Sequence, residues 1–375
     1  MDCLYVRMLS VWITSSFQSA RVPTTIALGN FDGVHLGHQQ VMAAILSDRV
    51  LSSTLPTVRS LSPQSVAALH QSIANENSHC AEPSRVTLED TASQPVSAKP
   101  IATVVTFAPH PQEYFSGISR PLLTPIAEKT WQLEQLGIEQ LVTLPFNQAL
   151  AELSPQDFVE KILIKGLKAQ QISVGNDFRF GKGRSGNADG LQAIAAQHSI
   201  PVTQVLLKYE QGDRISSSRI RAALQEGHPE VAAQLLGRPY TLTGKVVKGK
   251  QLGRTIGFPT ANLQVPSNKY LPRTGVYSVR VYGASRANAL SDDFQHSQTK
   301  NSLINGVMNI GNRPTVDGQS LSVEVHLLDW EGDLYDQVLT VSLEGFVRAE
   351  EKFESLEQLK RQIVVDCDVA ITSLT

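Results

Sequence analysis

Two architectures in series are predicted from this sequence: a mostly parallel α/β sheet covered on both faces, then a small antiparallel β-barrel with a C-terminal helix. Three observations predict them. Up to about residue 235, buried-type apolar runs alternate with helix-length periodic stretches, the pattern of strands joined by crossover helices. Beyond it, the runs at 246–247, 275–282, 302–310, 321–328 and 337–346 alternate apolar and polar residues with period two, and Gly, Pro and Asn turns separate them. Finally, 375 residues with 41% hydrophobic and 18% charged content suit two domains, each with its own core.

The most informative stretch is 24–42, TTIALGNFDGVHLGHQQVM. It reads as a strand, a tight glycine turn and a helix. Free backbone N–H groups and the positive end of the helix dipole then meet at the turn, a setting suited to phosphate. Gly29, Asn30 and Asp32 lie in that turn. His35 and His38, three residues apart at the helix start, can bring their imidazoles side by side over it, and Gly37 between them leaves room for close approach to the backbone. Imidazole N–H donors so placed suit nucleotidyl transfer, where charge grows on a phosphoryl group and on departing pyrophosphate. The alternatives are a surface pair or half a metal site, and zinc would lack a third His or Cys in a ligand pattern.

Before this stretch, residues 10–14 read as a first edge strand. The mildly apolar head lacks the basic start of a signal peptide, and Met8 is an alternative start to Met1. After it, residues 47–100 are rich in Ser, Ala, Thr and Pro and contain no Phe, Tyr or Trp. They read as a disordered insertion, more simply a tolerated surface insertion than a regulatory one. The alternation resumes with a strand at 101–107 that runs into APHP, then a helix with Pro125 at its first position, capped by Thr124 and ended by Gly137. A strand at 140–144 follows, then a helix capped at Ser154 with Asp157 in capping-box position. The strand at 171–175 leads into NDFRFGKG, which contains Asp177, and another helix and a strand at 201–207 complete the set. Ligands on such sheets sit beyond the strand C-termini, so the HLGH turn, APHP and GNDFRFGKG are expected around one crevice. RISSSRIR (214–221) adds serines at a helix N-cap, Ser217 and Ser218 among them, with Arg214 and Arg221 as charge for phosphates; a plain capped amphipathic helix would look the same.

In the second half, residues 249–262 place Gly249, Gly253 and Gly257 within nine positions, a backbone able to wrap closely round phosphates. Thr260 and Asn262 offer neutral oxygens on one side of an extended segment, hard ligands suited to Mg²⁺ shared with a nucleotide. A glycine-rich hairpin is the plainer reading. Along 322–327, alternation puts Val323, Val325 and Leu327 on one face and Glu324 with His326 on the other. A carboxylate there could serve as a general base toward a hydroxyl, or be a solvated barrel residue. Residues 284–301 read as a long polar hairpin loop, and the last helix as about 356–370.

A formal charge of −2 gives no basic field for nucleic acid. No apolar run spans a bilayer, so no membrane partner is expected. Three unpatterned cysteines, Cys3, Cys80 and Cys367, fit a reducing compartment, with the cytoplasm as the default.

In order, GNFDGVHLGH, TFAPHP, VGNDFRFGKGRSG and ISSSRIR resemble the adenylyltransferase half of the prokaryotic bifunctional riboflavin kinase/FAD synthetase family. LLGRPY, GRTIGFPTANL, GVYSV, NIGNRPTV and VEVHLLDWEGDLY resemble its riboflavin kinase half. The resemblance covers nearly the whole chain apart from the head, 47–100 and 284–301. It implies a Rossmann-like HxGH nucleotidyltransferase domain at 10–226, a linker at 227–240 and a β-barrel riboflavin kinase domain at 241–375. It further implies ATP, riboflavin and FMN as substrates, with Mg²⁺ and ATP held by Thr260 and Asn262 beside Gly253 and Gly257, and Glu324 as catalytic base. His35 and His38 match the histidines that stabilise the adenylyl transition state. Gly29, Asn30, Asp32, Arg214, Ser217, Ser218 and Arg221 match nucleotide-holding positions, and Asp177 a flavin- or nucleotide-lining one. Ser218 stands where the family usually has Thr, and the 47–100 insertion is not part of the family pattern. A kinase with a merely nucleotide-binding first domain is opposed by the intact His35 and His38. A flavin-binding regulator without catalysis is opposed by the intact PTAN and Glu324, and a pantetheine-type adenylyltransferase by the whole second domain. The oligomeric state is not readable.

Overall fold

The structure is a computed structural model and describes residues 6–8, 11–46, 99–210, 212–249, 252–283, 303–315 and 318–375. The insertion at 47–98 and the loop at 284–302 lie outside the described residues. Two compact units are present: among the described residues, the first comprises 6–46, 99–120 and 126–214, and the second 121–125 and 215–375.

The first unit is built on a seven-stranded sheet. Its strands are β1 (Val6–Met8), β2 (Val11–Thr14), β3 (Thr24–Leu28), β4 (Ile101–Ala108), β5 (Gln140–Pro145), β6 (Ala169–Gly175) and β7 (Val202–Val205), in the order β1-β2-β5-β4-β3-β6-β7. All neighbours pair in parallel except β1 with β2. Residues 10–14 are therefore not the edge: the antiparallel β1 flanks them, a strand that the irregular head did not announce. Alternation sorts the core. Ile26, Leu28, Val105, Val142 and Ile172 face one layer with Phe158, Leu163 and Leu191. Ala27, Val104 and Leu141 face the other with Val41, Met42 and Leu133. Helices thus cover both faces, as buried parallel strands require.

The helices positioning the first site are α1 (Leu36–Ala43), α2 (Pro111–Ser116) and α3 (Ile126–Gln135). Ser154 accepts from the Asp157 N–H as expected. From Phe158 to Gly166 the helix continues with wider turns, in which the Leu167 N–H reaches back five residues to the Ile162 carbonyl; the sequence carries no signal for that widening.

In the second unit, β8 (Tyr240–Val247), β9 (Ala261–Gln264), β10 (Gly275–Tyr282), β11 (Ile304–Thr315), β12 (Gly318–Leu327) and β13 (Val338–Arg348) close into an antiparallel barrel in the order β8-β9-β12-β11-β10-β13. Its inward residues, among them Leu242, Val279, Met308, Val325 and Val341, are buried. The helices are α4 (Ser217–Glu226) and α5 (Pro229–Leu236), a one-turn α6 (Leu252–Thr255) and a long α7 (Leu356–Leu374). The glycine run read as a wrapping loop therefore contains a helical turn. Cys367, Ala370 and Leu374 of α7 pack on Val276 and Val307. Arg348 clamps the helix with two parallel bonds to the buried Asp366, each 2.8 Å. Residues 121–125 join this unit across a long sequence gap. The Leu122 N–H donates to the Asn268 carbonyl, the Tyr270 N–H to the Leu122 carbonyl, and the Lys269 ammonium to the Leu123 carbonyl at 2.7 Å.

Burial, then Asp366 and Asp368, pushes the Cys367 thiol up to about 11. Native protein at pH 8 should therefore react with iodoacetamide at Cys367 at less than a tenth of its rate in denaturant, measured by mass of the C-terminal peptide.

Candidate active sites

The first site grows from the end of β3. Because β4, β3 and β6 are parallel neighbours, the loops after Leu28, Ala108 and Gly175 leave the same edge of the sheet. The HLGH turn, APHP and GNDFRFGKG are brought together there, as alternation predicted. The turn is tightly bent: Gly33 has φ 89°, and Phe31 and Val34 have φ 50° and 46°, a region costly for bulky or β-branched residues. His35 caps α1, its Nδ1 accepting the His38 backbone N–H at 3.2 Å. An Nδ1 that accepts carries no proton, so neutral His35 holds its proton on Nε2 and presents an N–H there. The two imidazoles stack at 3.5 Å between centroids and 15° between planes. Gly37 suits this arrangement, since a Cβ there would stand 3.3 Å from the His35 ring and press on it.

Phe31 meets His38 edge-on at 5.2 Å. The His38 Nδ1 is sealed from solvent without a hydrogen-bond partner. Burial first, then His35, Lys129 and Arg214, hold the His38 pKa well below the ordinary imidazole value. The turn is tied down through the Asn30 carbonyl, which accepts from the Thr106 hydroxyl at 3.0 Å and the Lys129 ammonium at 3.1 Å. Asp32 is buried in the same turn. Asp177 is paired with Arg214, both half-exposed; such a pair holds geometry more than it stabilises. Ser217, Ser218 and Arg221 belong to the second unit. There Ser216 rather than its successors is the N-cap, accepting from the Arg219 N–H. Arg221 donates to the Pro121 carbonyl and lies over the Tyr270 ring.

The second site lies on the outer face of the barrel. Strand register sets Asn262 opposite Glu324 and Glu324 opposite Asn309, so three polar side chains form a row across β9, β12 and β11. The Thr260 hydroxyl donates to Glu324 Oε2 at 3.4 Å, and His326 Nδ1 lies 2.8 Å from the Pro259 carbonyl. Gly253 sits against this set: a Cβ there would lie 2.3 Å from the Phe258 carbonyl oxygen and 3.4 Å from Thr260 Oγ1. Gly257, at φ 90°, supplies the turn before PTAN. Thr260, Asn262 and Glu324 are hard oxygen donors, only one of them charged. Such a set fits a Mg²⁺ that takes its remaining ligands from phosphate and water, and not a zinc centre. Among the described residues no cluster of three or more His, Cys, Asp or Glu side chains is placed to hold a metal. No described helix is long and apolar enough to cross a membrane.

Residues 17–79 and 87–219 match the FAD synthetase family model, and residues 236–374 the riboflavin kinase model. The bifunctional riboflavin kinase/FMN adenylyltransferase of Pseudomonas fluorescens is 34% identical over 92% of this chain and 90% of its own. The chain belongs to the bifunctional riboflavin kinase/FMN adenylyltransferase family. The Escherichia coli K12 family member is likewise 34% identical, over 93% of this chain and 92% of its own. Among solved structures, a macrolide-efflux protein from Streptococcus pneumoniae aligns over 96% of this chain and 99% of its own, with 25% identity and a TM-score of 0.70. The FAD synthetase match runs past residue 214, where the first unit ends, into α4 of the second.

Sequence reasoning passed over two residues beside these sites. Lys129 reads as an ordinary surface lysine, yet it shares a helix face with Ile126 and Leu133, and that spacing could have flagged it. Asn309 lies within NIGNRPTV, and only strand register reveals that it faces Glu324.

A base held neutral by burial binds no proton in the folded state below its unfolded pKa of about 6.5. His38's contribution to stability is therefore complete above that pH and is lost as pH falls below it. Stability of the protein to urea should fall from pH 7 to pH 5 by up to about 1.4 kcal/mol per pH unit more in the parent than in His38→Ala.

Proposed function

We propose that the two activities of this family are divided between residues 241–375, which phosphorylate riboflavin, and residues 10–226, which adenylylate the FMN formed, with 227–240 as the link. One observation supports this division above the others. Each unit gathers its own set of groups suited to a polyphosphate, imidazoles at a helix start in the first and a Thr–Glu–Asn row in the second, and neither reaction asks a side chain to act as nucleophile.

In the kinase reaction the ribityl 5′-hydroxyl of riboflavin attacks the ATP γ-phosphorus. Its proton passes to Glu324, an O–Pγ bond forms, the bond to the β-phosphate oxygen breaks, and ADP and FMN result. Glu324 sits where Thr260 fixes one carboxylate oxygen, which orients the base. Mg²⁺, held by Thr260 and Asn262, would neutralise charge on the transferring phosphoryl group. Gly253 and Gly257 let the backbone come close to the nucleotide.

In the adenylyl transfer an FMN phosphate oxygen attacks the ATP α-phosphorus and pyrophosphate leaves. His35 and His38 stabilise the growing charge as neutral N–H donors, already in place and needing little reorganisation. Gly29, Asn30 and Asp32 shape the turn under the phosphates. Arg214 holds the nucleotide, and Asp177 orients it beside the flavin or nucleotide. In this reading the partners are small molecules alone, ATP, riboflavin and FMN, and the compartment is the cytoplasm.

Incubating the protein with riboflavin, ATP and Mg²⁺ and separating the flavins by chromatography tests the reading: FMN should appear first, then FAD. His38→Ala should lower FAD formation at least 100-fold while FMN accumulates; FAD at the parent rate would sink the assignment. Glu324→Ala should lower FMN formation 100-fold or more and leave conversion of supplied FMN to FAD intact; loss of both activities would mark Glu324 as structural.

A further inference from the structure

The first unit buries a lysine that the reaction as described does not use. Lys129 is 7% exposed, in the middle of α3, on the face that carries Leu133 into the core. Leaving an ammonium there is costly unless it has a task or a partner. Its Nζ donates 3.1 Å to the carbonyl of Asn30, in the turn that ends at His35. It also interacts with the buried Asp32 of that turn and with His38.

The geometry points to Lys129 as a positioning residue for adenylyl transfer: its ammonium pins the Asn30–Asp32 turn through the Asn30 carbonyl and keeps a fixed positive charge beside the stacked His35–His38 pair. This inference rests on the reading of His35 and His38 given above. The argument runs through the turn. Phe31, next to Asn30, is held at φ 50° and presses its ring edge-on against His38. A carbonyl free to swing at position 30 would let Phe31 relax from that costly conformation and release His38 from one side. The Asn30 carbonyl would then keep one neutral bond, from the Thr106 hydroxyl.

The charge acts on the other side of the same residue. The groups that bear on His38 are His35 from the cap of α1, Lys129 from α3 and Arg214 from the segment after β7, and all three favour its neutral form. Lys208 lies near the His35–Gly37 corner through its stem. Asp32 faces Lys129 and opposes burial in keeping that lysine charged. Removing the ammonium takes away one of the two cations near His38, the other being Arg214, and leaves the Asp32 carboxylate, so His38 should titrate at higher pH.

The test uses full-length Lys129→Met and Lys129→Arg, with FMN adenylylation and riboflavin phosphorylation assayed separately. Lys129→Met is expected to lower kcat for FAD formation 10- to 100-fold with KM for ATP changed less than threefold, and to leave phosphorylation at the parent rate. The acid limb of its pH–rate profile, and the His38 resonance followed by NMR of histidine-labelled protein, should both move to higher pH. Lys129→Arg, which keeps the charge but cannot place its planar head on the same carbonyl, should lose five- to tenfold in kcat with the acid limb unmoved. Should Lys129→Met fail to fold, Lys129→Arg decides alone: the stated loss supports the inference, and parent kcat overturns it. A folded Lys129→Met with parent kcat, or with His38 titrating where it does in the parent, also overturns it. If His38→Ala still makes FAD, it is the site reading that fails, whatever the lysine variants do.

Discussion

One helix cap governs the first site. His35 spends its Nδ1 on the His38 backbone N–H, and that bond sets the ring's tautomer and caps the start of α1 together. The stack with His38 and the close fit at Gly37 follow from where that places the ring. The turn leading in is strained at Phe31 and Val34, at about 1–3 kcal/mol each. Both side chains are at most 1% exposed, and burying residues of that size contributes about 1.5–3 kcal/mol each. The two terms nearly cancel, so the core holds the unfavourable backbone in place, and the energy that packs the sheet also sets the geometry of the His35–His38 turn.

The second site depends on register instead. Val323, Val325 and Leu327 are buried inside the barrel, so alternation leaves Glu324 outside, opposite Asn262 and Asn309. A slip of one residue would turn Glu324 inward and three apolar side chains outward, and an unpaired carboxylate in the barrel interior is far more costly than any single contact on the outer face. The apolar pattern that closes the barrel is therefore what places the polar row.

Much of this was legible before any coordinates, because it is local. The 3.6-residue and two-residue periods, the Ser154 cap, the glycine turn and the HLGH spacing each act within a few residues, and the structure places them where they were read. What escaped is non-local or unpatterned. Strand β1 comes from a head with no alternation. Lys129 looked like any helix lysine because its role depends on a carbonyl 99 residues away. Asn309 needed register, the Arg348–Asp366 clamp needed the docking of α7, and the wider turns after Asp157 have no composition of their own. Ser217, Ser218 and Arg221 were legible as a capped helix, but not as part of the second unit.

The excursion of residues 121–125 into the second unit bears on how the chain can be assembled. The Leu123 carbonyl finds the Lys269 ammonium 146 positions downstream. When α3 emerges from the ribosome, the peptide groups just before it still await partners that have not been synthesised. Water must serve them until residues 268–270, just past the barrel's second strand, have been made. The peptide groups of Leu122 and Leu123 therefore stay with water until well into synthesis of the second half, and their bonds close only after every strand of the first sheet has been made.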